Sequence, residues 1–132
     1  VVQPRQLLVS GRYAASDQRS ESDRQFLADV FKVESVSCDS CHAAGETIYA
    51  VRDSFDIYRT PNADHYAATS VDALQPLDGA ATMLQYSDGQ PAATCYRGSN
   101  YRAWFMGFPF ECIRQRSQRT MLMRTIMQQL FQ

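Results

Sequence analysis

The alternation of hydrophobic and polar positions is clearest in the last third of the chain, where it predicts three strands joined by two tight turns. Residues 81–86 and 92–96 read as strands on either side of Asp88-Gly89, a dipeptide typical of hairpin turns. After a second turn at residues 98–100, residues 101–108 form an aromatic-rich strand with enough apolar side chains to lie inside a sheet. The pattern therefore predicts an antiparallel meander late in the sequence.

A helix is predicted after this meander. Pro109 ends the aromatic strand, and the helix is expected from about Ser117 to Phe131. Its buried face is predicted to consist of five apolar side chains with helical spacing: Leu122, Met123, Ile126, Met127 and Leu130.

The beginning of the chain predicts a strand followed by a helix. Leu7-Leu8-Val9 is a short continuous apolar run, typical of a strand buried on both faces, and Ser10-Gly11 ends it. Ser22 and Gln25 have the spacing of a capping box, so a helix is expected to begin there. This order of elements is typical of a parallel α/β layer.

The middle of the chain has a weaker pattern. A short strand is favoured at residues 47–51. Residues 62–77 show little periodicity and are punctuated by prolines, so this segment is predicted to be largely irregular.

Together these elements predict one α/β domain over residues 1–132, with a mixed sheet and a C-terminal antiparallel meander. Only two helices are evident, whereas a doubly wound sheet needs helices on both of its faces. Either an upstream segment or the irregular middle must therefore cover one face. Because the chain lacks an initiator Met and enters a strand almost at once, we expect it to be the later part of a larger protein, with the N-terminal strands of the layer upstream.

The composition limits which kinds of partner the chain is expected to have. With 45% hydrophobic residues, 20% charged residues and a formal net charge of -1, the chain belongs to the ordinary globular class. No basic excess favours nucleic acid, and no apolar run approaches the roughly 20 residues that span a bilayer. We predict no nucleic-acid partner and no membrane insertion.

One motif, Cys38-Asp39-Ser40-Cys41-His42, matches the C-x-x-C-H pattern of covalent haem attachment. Haem is disfavoured because the motif stands in a polar stretch within an α/β pattern. Zinc is disfavoured because the chain has one C-x-x-C pair, and a redox-active pair because no helix clearly follows the motif. The prediction is no cofactor and no metal.

A local disulfide between Cys38 and Cys41, or two ordinary thiols, is the simpler interpretation of this motif. An exported protein would allow that disulfide. The other two cysteines, Cys95 and Cys112, would pair only if their Cα atoms lie within about 7 Å of each other.

Two residues are candidates for catalysis. Ser10 stands at a strand-to-turn position, and the carboxyl ends of parallel strands form the ligand crevice of α/β proteins. The residues around Ser10 do not form the G-x-S-x-G motif of hydrolases. The hydrophobic pattern does not show where His42 or His65 lies relative to Ser10. Glu111, just after the aromatic strand, is the second candidate because it could face the same crevice.

Other residues are candidates for binding a ligand in that crevice. They are Gly11, Arg12, Tyr13, Asp17 and Arg97. A structural role is favoured for two of these charged residues, Asp17 and Arg97. Asp17 would complement a helix dipole, and an ion pair between Arg97 and Glu111 would hold two strand ends together.

Six aromatic residues alternate across the last two predicted strands. They are Tyr96, Tyr101, Trp104, Phe105, Phe108 and Phe110. About half should face the core, and this is favoured for Trp104 and Phe108. The rest could form a platform on which sugar rings stack through their C–H faces.

Several segments carry a resemblance to a known family. They are residues 7–17 (Leu-Leu-Val-Ser-Gly-Arg-Tyr-Ala-Ala-Ser-Asp), 66–76, 93–98 and, most specifically, Gly107-Phe108-Pro109-Phe110-Glu111. Together they resemble the C-terminal α/β domain of large secreted proteins of anaerobic Gram-negative bacteria, commonly labelled xanthan lyase-like or golvesin-like. The resemblance covers nearly the whole chain.

The resemblance implies both a fold and a function. It implies a class I glutamine amidotransferase-like fold, that is, a three-layer flavodoxin-like sandwich, in which active members carry a Cys at the elbow after the strand. Here Ser10-Gly11 stands at that elbow without a Cys. The resemblance thus implies a non-catalytic accessory, carbohydrate-binding or scaffolding module of an exported, xanthan lyase-like protein. Its partners would be a polysaccharide and other domains of the same parent chain, and it would be secreted or held at the cell surface.

The alternative is a hydrolase. It would use a degenerate amidotransferase-like site with Ser10 at the elbow, and it would belong to a different functional class from a binding module.

Overall fold

The computed structural model describes residues 5–11, 20–36, 46–60, 67 and 71–132. The strands are β1 (Arg5–Ser10), β2 (Val33–Val36), β3 (Thr47–Tyr49), β4 (Ser54–Asp56), β5 (Ala73–Pro76), β6 (Ala80–Tyr86), β7 (Pro91–Arg97) and β8 (Tyr101–Met106). The helices are α1 (Glu21–Phe26), which continues as a π-helical turn (Leu27–Phe31), a 3-10 turn (Phe110–Cys112) and α2 (Arg116–Phe131).

Six of these strands form one curled, half-barrel sheet in the order β1-β8-β7-β6-β3-β4. Strands β1 and β8 run parallel, and the other neighbours in this sheet are antiparallel. Strands β2 and β5 pair antiparallel in a second, smaller sheet. In the described part of the chain, β1 and β4 are therefore the two edges of the main sheet.

The predicted three-layer flavodoxin-like sandwich is wrong. The described part is mostly β, with a curled mixed sheet, a small two-stranded sheet and two α-helices, instead of a doubly wound layer. The error came from the strand-turn-helix unit at the beginning of the chain and from the flavodoxin-like fold that the family resemblance implied. That unit predicted repeated parallel pairing, whereas β1 pairs in parallel with β8 and the rest of the sheet is built from antiparallel neighbours.

The meander itself is confirmed. The predicted strands correspond to β6, β7 and β8, and β8 lies inside the sheet between β1 and β7. The C-terminal helix is also confirmed, although its buried face is narrower than predicted. Leu122, Ile126 and Leu130 are buried, whereas Met127 is 45% exposed.

The larger of two hydrophobic cores lies between the main sheet and α2. Trp104 and Met106 of β8 project into it and pack with the buried face of α2. Phe108 follows them, with its ring 6.3 Å from that of Phe55 and 6.4 Å from that of Tyr86. Since Trp104 and Phe108 are both fully buried, their predicted core role is confirmed.

The second core lies on the opposite face of β8. Successive side chains of a strand point to opposite faces, so Ala103 and Phe105 turn away from α2. Phe105 meets Phe31 of the π-helical turn edge-on, with 5.3 Å between ring centroids. Val33 of β2 and Leu74 of β5 complete this core and place the small sheet against the main one.

Three local predictions need correction. The N-cap of α1 is Ser20, whose Oγ accepts a hydrogen bond from Asp23 N at 3.1 Å, so the helix begins earlier than the Ser22 capping box predicted. Strand β5 lies in a segment that was predicted to be irregular. Strand β1 is not buried on both faces, because Leu7 and Leu8 are 38% and 39% exposed at the edge of the sheet.

Gly107 joins the main sheet to the segment that leads into β5. Its N–H donates to Ala92 O and its carbonyl accepts from Asp72 N, both at 2.8 Å. A Cβ at this position would lie 2.2 Å from Asp72 O, which also accepts a 2.7 Å hydrogen bond from the Tyr86 hydroxyl. A side chain at residue 107 would therefore push apart two backbone segments that are hydrogen-bonded to each other.

We expect Gly107→Ala to lower the free energy of unfolding by about 3 kcal/mol, because the clash involves backbone that cannot rotate away. Gly89→Ala is the matched control. Gly89 has a φ of +87° but open space around it, so its cost should be only about 1 kcal/mol. Urea unfolding of both variants measures the difference, and equal losses would contradict the backbone contact at Gly107.

Candidate functional site

The predicted catalytic candidates lie at the end of the sheet where β1 and β8 finish. Ser10 is level with Met106 in the parallel pair. Its Oγ accepts a long hydrogen bond, 3.5 Å, from the N–H of Phe110, the first residue of the 3-10 turn that carries the exposed Glu111. The structure thus brings Ser10, Gly11 and the turn with Glu111 to the same end of the sheet.

Cys95 and Cys112 are buried thiols. Burial raises the pKa of Cys112 to about 12, with the neighbouring charge of Glu111 adding to the effect, and its Sγ donates to Pro109 O at 2.8 Å. Burial also raises the pKa of Cys95, against the opposing effect of Arg97 and Arg102. Both are free, so the pairing considered for Cys95 and Cys112 is not formed. Neither thiol is suited to act as a nucleophile at neutral pH.

Arg97 lies at the other end of the sheet from Ser10. In the β7–β8 register Arg97 is level with Arg102, whereas Ser10 is level with Met106, four residues along β8. Four residues of a strand span roughly 13 Å. The structure therefore does not bring Arg97 together with Ser10. Instead, the guanidinium groups of Arg97 and Arg102 both donate to the main-chain oxygen of Gln132 after α2.

The remaining sequence-predicted positions lie outside the described residues. They are Arg12, Tyr13, Asp17, the possible disulfide partners Cys38 and Cys41, and the histidines His42 and His65. Among the residues that are described, no group of three or more His, Cys, Asp or Glu side chains is arranged to hold a metal ion.

The predicted aromatic set divides between the cores and the surface. Trp104, Phe105 and Phe108 are buried. Tyr96 and Tyr101 remain partly exposed on the face opposite α2, with 5.0 Å between their ring centroids and a 45° tilt. They form an aromatic pair that a ligand can reach from solvent on this face.

Close backbone contacts fix the Tyr96 ring. A Cβ on Gly79 would lie 2.9 Å from the ring, and one on Gly98 would lie 2.6 Å from it. Gly79 also has a φ of +91°, which favours glycine. Lys32 Nζ stands 5.5 Å from the ring centroid, within the range of a cation–π interaction.

The Tyr101 ring is fixed by its hydroxyl group. The hydroxyl donates to Val30 O at 2.6 Å, and Asp29 O lies 3.1 Å away. Burial raises the pKa of Tyr101, with Tyr96 and the Asp29 carboxylate adding to the effect. The ring is therefore a neutral, oriented surface at physiological pH.

Two cations border this aromatic pair. Lys32 lies over Tyr96, and Arg5 is level with Tyr101 in the β1–β8 pair, so it projects to the same face of the sheet. We call the set Arg5, Lys32, Tyr96 and Tyr101 the basic-aromatic patch. Sequence reasoning identified its two tyrosines but missed both cations. Lys32, the single lysine of the chain, was the available signal.

Lys32 reaches the patch because of its backbone conformation. It ends the π-helical turn with φ 56° and ψ 47°, in the left-handed region. Its carbonyl accepts a 2.8 Å hydrogen bond from Leu77 N, which leads into the turn before β6. The turn of the chain at this residue directs its side chain towards β7.

Comparison of the sequence with models of known protein families gives no match, and comparison with curated proteins gives none either. In the described part of the chain, neither helix has the length and apolar character needed to cross a membrane.

The buried Cys112 thiol predicts a specific dependence of stability on pH. Its pKa is about 12 in the folded chain and near 9.0 when exposed, so above pH 9 the unfolded chain loses this proton first. The free energy of unfolding should therefore fall as pH rises from 9 towards 12, and the contribution is fully present below pH 9. Urea unfolding of the wild-type chain and of Cys112→Ala at several pH values measures it. Parallel profiles for the two chains would contradict the raised pKa.

Proposed function

We propose that this chain is a non-catalytic module that binds polysaccharide, or scaffolds other domains, in an exported polysaccharide-acting protein. The observation that supports it best is the basic-aromatic patch. Two oriented tyrosine rings stand side by side on a partly exposed face, and a lysine and an arginine border them.

The chemistry of the patch favours an acidic polymer over a neutral one. The C–H faces of sugar rings pack on aromatic rings as other apolar surfaces do, which accounts for affinity to sugars in general. Lys32 and Arg5 add charge-assisted hydrogen bonds to carboxylate groups. A uronate-containing or otherwise carboxylated chain offers both kinds of contact.

The scaffolding part of the proposal is supported by β1, which forms one edge of the main sheet in the described part of the chain. Leu7 and Leu8 of β1 project to opposite faces and are both more than a third exposed. By contrast, the opposite edge strand, β4, has three residues, and Asp56 on it is exposed. Short and charged edges resist pairing, whereas β1 has six residues and exposes two leucines. Other domains of the same parent chain are the partners we propose for this edge.

Affinity electrophoresis tests polysaccharide binding. We expect gels containing xanthan to retard the chain more than gels containing a neutral polysaccharide. Lys32→Gln should weaken the retardation by xanthan several-fold, because it removes the cation over Tyr96. Arg124→Gln, at an exposed position on α2, removes one positive charge elsewhere and should behave as the wild type.

Two outcomes would count against the proposal. Free migration of the wild-type chain in every polysaccharide would remove the binding function, and equal effects of Lys32→Gln and Arg124→Gln would show that net charge, rather than the patch, causes the retardation. Ser10→Ala should leave the retardation unchanged. If the wild type hydrolysed an acyl or glycosyl substrate and Ser10→Ala abolished that activity, the hydrolase alternative would replace a non-catalytic module.

A further inference from the structure

Two further surfaces of this chain, outside the basic-aromatic patch and the β1 edge, carry opposite charges. One is a broad groove of about 670 Å³ along the exposed side of α2, bordered by the 3-10 turn. We call it the α2 groove. The other is the exposed side of α1 and of the π-helical turn that continues it, formed by Asp23, Phe26 and Asp29. We call it the α1 face.

The α2 groove is both basic and apolar. Three arginines, two methionines and an aromatic ring line it: Phe110, Arg116, Arg119, Met123, Arg124 and Met127. No acidic side chain of the described residues lines it, and the sequence of α2 contains none. Because the whole chain has a formal net charge of -1 and α2 contributes three positive charges, the other residues together carry -4. The groove is therefore a positive surface on a chain that is otherwise acidic.

Two arginines of the α2 groove remain available to a partner. Arg119 is held within the chain, because its guanidinium donates to the main-chain oxygens of Ile113 and Arg114. By contrast, Arg116 and Arg124 are exposed, and within the ranges that the structure describes neither forms an ion pair. Since Met127 is also 45% exposed, the groove offers a partner apolar surface as well as charge.

The α1 face has the complementary composition. Phe26 is 59% exposed, with Asp23 three residues before it and Asp29 three residues after it, and both carboxylates are exposed. A single exposed apolar side chain is common on protein surfaces and needs no explanation. Here, however, the aromatic ring stands between two carboxylates, which is the composition that an apolar groove bordered by arginines would bind.

The α1 face and the α2 groove cannot meet within one chain. The π-helical turn packs on Phe105, whereas α2 packs over Trp104, and these two side chains lie on opposite faces of β8. A second copy can bring them together. The groove extends about 16 Å along α2, from residue 116 to residue 127, at 1.5 Å per residue. The helical segment at residues 21–31 has nearly the same length and can lie along it.

We propose that copies of this chain associate head to tail, with the α1 face of one copy docked in the α2 groove of the next. Phe26 packs on Met123 and Met127, whose flexible, polarizable side chains adapt to an aromatic ring. The carboxylates of the α1 face pair with the exposed arginines of the groove. Since one helix in one groove is a small contact, the association is weak and does not occur in the dilute samples used for electrophoresis.

Sedimentation equilibrium of the wild-type chain tests the association. The proposed interface joins two different surfaces, so each added copy leaves one groove and one α1 face open. We therefore expect the weight-average mass to rise with protein concentration beyond the mass of a dimer. Added salt should lower it, because 1 M salt shortens the screening length from about 10 Å at 0.1 M to about 3 Å.

Two variants that each block one surface test the head-to-tail geometry. Phe26→Lys places a positive charge on the α1 face, and Met127→Glu places a negative charge in the α2 groove. Each should associate with itself at least tenfold more weakly than the wild type, because a central apolar contact is lost and a like charge is added. An equimolar mixture should form a complex of two chains and grow no further, since one intact groove and one intact α1 face remain.

The controls separate this contact from general effects of charge and folding. Val51→Glu places the same charge at an apolar position that is 91% exposed, and it should associate like the wild type. Asp23→Lys and Arg116→Glu change charge alone at exposed positions and should reproduce the mixing result. Urea unfolding of every variant checks that the chain remains folded.

Three results would overturn the proposal. A wild-type chain that stays monomeric at the highest concentration would remove the association. Variants that associate only as strongly in the mixture as alone would show that any association uses other surfaces. Binding of the monomeric wild type to phosphatidylglycerol vesicles, lost in Met127→Glu, would assign the α2 groove to an anionic lipid surface instead of a second copy.

Discussion

The structure depends on the alternation of side chains along a single strand, β8. Trp104 and Met106 enter the core beneath α2, whereas Ala103 and Phe105 enter the core beneath the small sheet. A shift of one residue in register would exchange these two sets and bury the wrong groups in both cores. Parallel pairing with β1 and antiparallel pairing with β7 hold the register from both sides. Gly107 fixes its end, since the backbone there bonds both to β7 and to the segment before β5.

The elements that could be predicted are those specified by neighbouring residues. The turn dipeptide at Asp88-Gly89, the aromatic alternation of β8 and the helical spacing of α2 are all local signals, and all three elements formed. The fold class could not be derived in this way because the decisive contacts are distant in sequence: β1 meets β8, and β2 meets β5. Strand β5 has four residues and acquires its strand conformation from that distant partner, so its own pattern carried little information.

The candidate site could be predicted only in part, for the same reason. Arg97 and Ser10 both end strands, and in a purely parallel sheet such ends lie on one edge. Since β7 is antiparallel to β8, the end of β7 lies beside the beginning of β8, and Arg97 meets Gln132 instead. Lys32 joins the aromatic pair through a left-handed residue at the end of a π-helical turn. Periodicity does not encode that geometry, so the tyrosines could be predicted while their cation could not.

The basic-aromatic patch and the core beneath α2 are separated by the same alternation that separates the two cores. Tyr101 and Trp104 are three residues apart on β8, and so they face opposite sides of the sheet. The patch offers charges to solvent, where salt screens attraction over about 10 Å at moderate ionic strength. The core beneath α2 consists of buried apolar side chains, for which screening by salt matters little. Added salt should therefore weaken the binding of an acidic polymer to the patch and leave the core beneath α2 intact, because the sheet keeps a charged surface and an apolar core apart within one strand.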